Sequence, residues 1–198
     1  MKDNLMLKGM GLALNGIVKD GVPDAAKRKE IRKGYKEIMD RASDIGSSNI
    51  LLSSYGLAAY FISMNKVTGF TPEKNCEILE RGMRKSKLIK AMMGDAKGYF
   101  DEKRMVKRRE WSKETHQRKY KNDWVVDILE KTDDYEFGMD YTECGVVKLC
   151  RDEGCPELAK YMCSLDFMLA EIMGLHLDRT MTLAEGAPKC DFRYSRAK

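Results

Sequence analysis

The stretch Glu136–Cys144, EFGMDYTEC, alternates residue by residue. Phe137, Met139 and Tyr141 fall on one face, and Gly138, Asp140, Thr142 and Cys144 on the other. A period of two is the mark of a strand that buries one face. The stretch divides the chain into two textures, and the fold class follows from what lies on either side.

Upstream the period is that of a helix. DAAKRKEIRKGYKEIMDRA sets Ile31, Tyr35, Ile38, Met39 and Ala42 on one face, behind Pro23 and Asp24 as a start signal. SSNILLSSYGLAAYFISMNKVTG is apolar nearly all round, which predicts a buried helix ended by Gly69. Thr71 is placed to cap the next helix, with Pro72 in its first turn and Lys74 where a capping box would carry an acid. Residues 101–121 read as a charged helix whose Trp111 must pack on something. Residues 1–121 therefore form a helical region.

Downstream, DWVVDILEK, LHLDRTMTLAE and KCDFRYS favour β-branched and aromatic residues, although DWVVDILEK is also compatible with a helical turn. Two helices interrupt these strands. CGVVKLCRDEGC is short and stops at Gly154. PELAKYMCSLDFMLAEIMG begins at Pro156, ends before Gly174, and reads as deeply buried around Leu158, Met162, Leu165, Leu169 and Ile172. The expected fold is α+β: a helical N-terminal half, then an antiparallel sheet with an inserted helix pair over residues 122–198. Both regions are expected in one compact domain.

The 198 residues suffice for a single core, and 43% hydrophobic with 34% charged residues is ordinary for a soluble globular protein. The net charge of +5 is concentrated in residues 85–121, while residues 130–143 are acidic. No nucleic-acid recognition signature accompanies the basic stretch, which reads as a solvated helix face. No apolar run approaches the ~20 residues of a membrane span, and no leader pattern opens the chain. A cytoplasmic protein with reduced cysteines is expected, with no nucleic-acid or membrane partner; a homo-oligomer is compatible with the sequence.

Six cysteines stand at 76, 144, 150, 155, 163 and 190, with no CxxC pair and no zinc-ribbon spacing. No GxSxG, GxGxxG or P-loop occurs. Candidate chemistry rests on carboxylates and thiols. Asp166 lies three residues after Cys163 on one helix face, and a carboxylate in an apolar helix demands either a partner or a polar cavity. Cys144 follows Glu143 at a strand end and opens a helix, where the dipole can depress a thiol pKa; the alternative is a small packed hydrophobe. In the last strand Cys190, Phe192 and Tyr194 share a face, opposite Asp191, Arg193 and Ser195. Arg193 then either bridges to Glu185 or Asp178, or grips a substrate carboxylate. Only His116 and His176 are available as histidines, and His176 opens a strand.

The combination Glu143-Cys144-Gly145, Gly154 with Pro156-Glu157-Leu158, Cys163-x-x-Asp166, Thr182-Leu183-Ala184 with Gly186, and Cys190-Asp191-Phe192-Arg193-Tyr194 resembles the family named for L-2-amino-thiazoline-4-carboxylic acid hydrolase. The resemblance runs from about Asp123 to Ser195; the preceding helices match in texture only. It implies an enzyme that opens the ring of a 2-aminothiazoline carboxylate, toward L-cysteine through a carbamoyl-cysteine. It also implies a fold similar to vinyl-reductase-type small-molecule-binding domains, which are mostly binders or sensors.

Two functions follow as expectations. The first is a C–N hydrolase for a small cyclic amidine or thiazoline carboxylate. Cys163 or Cys144 would be the nucleophile or the wall at the reacting carbon, and Asp166 the acid–base residue with its pKa raised by burial. Asp191 would assist, Arg193 would hold the carboxylate, and Glu143, Glu185 and His176 would support binding. Carboxylate-activated water with the cysteines as walls is a variant. No cofactor is expected; a metal-assisted variant would use Cys, Asp and His176 as ligands. The second function is a non-catalytic sensor or carrier with the same pocket.

Overall fold

The computed structural model describes residues 5–197; the first four residues of the N-terminal stretch searched for a leader, and Lys198, lie outside the described residues. Seven helices come first: α1 (Leu5–Ile17), α2 (Ala25–Arg41), α3 (Leu52–Thr68), α4 (Pro72–Lys85), α5 (Lys87–Met93), α6 (Ala96–Tyr99) and α7 (Glu102–Thr115). Strands β1 (Val125–Leu129) and β2 (Phe137–Glu143) follow, then α8 (Gly145–Asp152) and α9 (Ala159–Ile172), then β3 (Leu175–Asp178) and β4 (Cys190–Arg196). The fold is α+β, with the helices gathered in the N-terminal half and a four-stranded antiparallel sheet ordered β1-β2-β4-β3.

The local signals explain the elements. Asp24 accepts from the amides of Ala26 and Lys27 and caps α2, whose Ile31, Tyr35, Ile38 and Met39 are buried. Helix α3 is buried without interruption from Tyr55 to Met64, and Gly69 ends it at φ 72°, the left-handed conformation that glycine adopts without steric cost. Thr71 Oγ1 accepts from the Lys74 amide at 3.3 Å, so α4 is capped by its threonine alone. Trp111 is buried on α7. That helix is fastened to β1 by Ser112 Oγ donating to the Val126 carbonyl at 2.7 Å and the Val126 amide donating to Thr115 Oγ1 at 3.2 Å. DWVVDILEK is a strand over Val125–Leu129.

Three expectations change. Helix α9 is not buried all round: Lys160, Ser164 and Glu171 are exposed and Phe167 keeps 38% of its surface. Pro156–Leu158 forms a separate 3-10 turn before it. The segment after His176 leaves the sheet at Asp178 and ends in a 3-10 turn, Leu183–Glu185, because Asp191 draws that chain into a loop rather than a strand.

One hydrophobic core spans both halves, from Leu7 to Tyr194. Polar ties cross the same seam. Asn49 Nδ2 donates to Asp123 Oδ1 at 2.7 Å, and Asn122 Nδ2 donates to the Tyr55 hydroxyl at 3.1 Å. Glu153, at the end of α8, receives Arg41 from α2 and Lys66 from α3. At the start of α8 only glycine fits: a Cβ on Gly145 would lie 2.5 Å from the Asn122 carbonyl oxygen and 2.8 Å from the Trp124 ring.

The CDFRY strand is central, not an edge. Tyr194 faces Phe137, Phe192 faces Met139 and Cys190 faces Tyr141 across the β2–β4 ladder. All six are buried, forming one continuous face of aromatic rings with the Met139 thioether and the Cys190 thiol.

Candidate active site

A cavity of about 440 Å³ opens between this inner sheet face and the helices. The sheet contributes Met139, Tyr141, Cys190, Phe192 and Tyr194; α9 contributes Met162, Cys163, Asp166 and Leu169. Helix α3 closes another side with Leu57, and α7 supplies Arg104, Lys107 and Arg108. The lining is mostly apolar, with a few convergent polar groups, the usual character of a small-molecule site.

Asp166 is the polar centre. It is hemmed in by protein yet keeps 32% of its side-chain surface, and it lines the cavity. Desolvation pushes its carboxyl up to about 7, against the pull of Arg179, which donates to Oδ2 at 2.8 Å. Arg179 comes from the loop after β3, is 6% exposed, and lies over the rings of Phe167 and Phe192, which fix its plane.

Three thiols share the cavity with Asp166: Cys144, Cys163 and Cys190. Cys163 follows the i,i+3 relationship to Asp166 read from the sequence. Burial, then the neighbouring Asp166 charge, pushes its thiol well up. Cys144 ends its strand with extended backbone at the mouth of α8. Alternation would send it to the outer face of β2, but the turn into α8 brings it to the cavity. The expectation of a depressed thiol pKa there is overturned: burial lifts it to about 11 and outweighs the amides of Val146 and Val147. Cys190 packs on the aromatic face, and its sulfur accepts from the Leu183 amide at 3.2 Å. All three are therefore protonated near neutral pH.

The remaining predicted site residues lie elsewhere. Asp191 faces the other side of the sheet and accepts from the Thr180 amide and hydroxyl and the Met181 amide, at 2.9, 2.6 and 2.6 Å. Its partial burial is outweighed by these bonds, which hold the carboxyl low. Arg193 shares that outer face, 2.8 Å from Asp140 Oδ1, rather than pairing with Glu185 or Asp178. Glu143 is bound to Lys148 and Arg118 at the surface, and Lys148 lowers its pKa. Glu185 accepts from Thr182 Oγ1 in its own turn, and His176 is exposed on β3. None of these five lines the cavity. Among the described residues, no group of three or more His, Cys, Asp or Glu side chains is placed to hold a metal ion.

Two basic residues that the sequence reading passed over are in place. Arg179 takes the role of charge partner to Asp166. Arg108 is half-buried on α7, lies 4.0 Å over the Tyr99 ring and 5.0 Å over Phe137, and donates to the Tyr99 carbonyl at 2.7 Å. Among the described residues it has no carboxylate partner. It is a cation held at the cavity wall with its charge unspent.

A family model described as L-2-amino-thiazoline-4-carboxylic acid hydrolase matches residues 51–194. The chain belongs to that family. The match begins at the foot of α3, so it takes in α3 to α7 as well as the sheet, more than the stretch from Asp123 that carries the sequence resemblance. It therefore includes every residue lining the cavity except Ile50. No curated protein and no solved structure matches the chain. The family name is that of a hydrolase, and no helix among the described residues is long and apolar enough to cross a membrane.

Proposed function

We propose that the protein hydrolyses a small cyclic amidine carboxylate of the 2-amino-thiazoline-4-carboxylate type, using Asp166 as the acid–base group. The observation that carries this reading is the bipolar cavity: a carboxyl poised near neutrality at one wall and an unpaired arginine at another. A substrate of this type has the same polarity, with a basic amidine and a carboxylate. Arg108 suits the carboxylate, with Arg104 and Lys107 drawing the anion in. Asp166 suits the amidine end.

The step balances as follows. Asp166, ionised, takes a proton from water as the water oxygen bonds to the ring carbon between nitrogen and sulfur. The tetrahedral adduct then collapses and the carbon–sulfur bond breaks. The proton on Asp166 passes to sulfur, leaving a carbamoyl-cysteine with a free thiol. Reaching that product keeps both carbon–nitrogen bonds, so the leaving atom is sulfur rather than the nitrogen first expected. A pKa of about 7 lets one group serve as base and then as acid. The raised thiols of Cys144 and Cys163 favour carboxylate-activated water over a thiolate nucleophile, with the cysteines as walls. Arg179 would act as a positioning residue for Asp166.

The test is direct. Purified protein is incubated with 2-amino-thiazoline-4-carboxylate and the mixture followed by mass spectrometry for carbamoyl-cysteine and cysteine. Product that disappears in Asp166→Asn supports the proposal. Saturable binding with no product would make the protein a binding module instead.

A further inference from the structure

The cavity has more room, and more apolar wall, than a bare ring acid uses. That acid has about nine non-hydrogen atoms, whereas the 440 Å³ would hold roughly 15 water molecules at about 30 Å³ apiece. The groups assigned above to binding and chemistry leave a large part of the lining without a task. Five methionines stand in that remainder: Met92, Met93, Met139, Met162 and Met173. Methionine is unbranched and flexible, so a wall of methionines fits itself to apolar groups of varied shape.

Helix α5 carries two of the five, and it has no buried residue. Its Met92 is 68% exposed and Leu88 55%, and the two lie four residues apart on one face of KLIKAMM. An apolar helix face at the mouth of a cavity, rimmed by Arg104 and Lys107, is surface that an amphipathic ligand would cover. The cations at the same mouth select an acid, and the methionines select what the acid carries.

Resting on the cavity as the site of the reaction above, we infer that the physiological substrate is a substituted cyclic amidine acid. It bears a butyl- to phenyl-sized apolar group that lies against Met92, Met93 and the methionines of the inner wall. The chemistry is unchanged by such a group on the exocyclic nitrogen. Water adds to the ring carbon, the carbon–sulfur bond breaks, sulfur takes the proton, and the product is a substituted urea with a free thiol.

The experiment compares 2-amino-, 2-butylamino- and 2-benzylamino-thiazoline-4-carboxylate on the full chain, by calorimetric titration and by mass-spectrometric turnover. The expected result is a Kd at least ten-fold lower for the butylamino or benzylamino acid than for the bare acid. That ratio is expected to shrink at least three-fold in the double variant Met92→Ala, Met93→Ala. Equal or weaker binding of both substituted acids overturns the inference, even if the bare acid is hydrolysed. Preferential binding of the substituted acids without product from any of the three keeps the apolar subsite, but it overturns the hydrolytic reading and with it the assignment of the acid as substrate.

Discussion

Arg179 Nη1 donates to Asp166 Oδ2 at 2.8 Å, and the arginine is almost sealed from solvent while the aspartate keeps a third of its side chain open to the cavity. The pair is asymmetric: the cation is enclosed and its anion is available. Burial still wins over the cation, and the Asp166 carboxyl is lifted to about 7.

The first prediction concerns that carboxyl. A base must be ionised, so kcat/KM of the wild type rises with pH and levels off above about 7. Asp166→Asn lowers kcat by about 10²–10⁴ and abolishes the pH-dependent limb. Steady-state rates between pH 5 and 9 check it; a flat wild-type profile would remove Asp166 from the chemistry.

The same group makes a stability prediction of opposite sense. Its folded pKa, about 7, exceeds the unfolded value of about 3.9. Between those values the native state holds the extra proton, so stability from this group is full below about pH 4 and is lost as pH rises through 7. Wild type minus Asp166→Asn, compared by urea unfolding across pH 4–8, shows that downward slope.

Arg179 is testable through Asp166. Arg179→Met removes the charge and the hydrogen bond that favour the Asp166 carboxylate, so the activity limb moves to higher pH. Arg179→Lys returns part of the shift. A loss of activity with an unmoved limb would mark Arg179 as merely structural.

The thiols separate two mechanisms. Cys144→Ser and Cys163→Ser each keep turnover within about ten-fold, because walls tolerate the exchange, whereas losing a covalent nucleophile costs on the order of 10⁴ or more. Single-turnover mass spectrometry should find no enzyme-bound adduct.

Binding and scaffold should divide between Arg108 and Arg193, the second of which was the arginine first weighed for substrate. Arg108→Ala raises KM about ten- to hundred-fold, the cost of a charged hydrogen bond. Arg193→Ala leaves KM unchanged and lowers stability, because it takes one of two cationic partners from the largely buried Asp140 and leaves it Lys189 alone. Equal KM values for both variants would contradict the assignment.

The residues that were legible share one property: their local pattern decides their place. Alternation in EFGMDYTEC and CDFRYS correctly separated the buried faces, and Cys163 with Asp166 followed from helical spacing. What alternation could not supply is which face meets the cavity. The aromatic face does, so Asp191 and Arg193 turn out to brace a loop and a strand. Cys144 escaped its strand's alternation because the chain turns into α8 there. Arg108 lay in a charge run that resembles a solvated face, and Arg179 in a loop with no periodicity. Only tertiary contacts, with Tyr99 and Phe137 for one and with Asp166 for the other, distinguish them.

The stacking of Arg108 on Tyr99 and Phe137 has a consequence for kinetics. A free arginine side chain gives up as much as about 2 kcal/mol of rotamer entropy when it is immobilised. Here the two rings and the Tyr99 carbonyl already hold the guanidinium before any ligand arrives. On the proposed function, a carboxylate arriving at Arg108 would meet a guanidinium already in place, and its capture would not wait on that side chain.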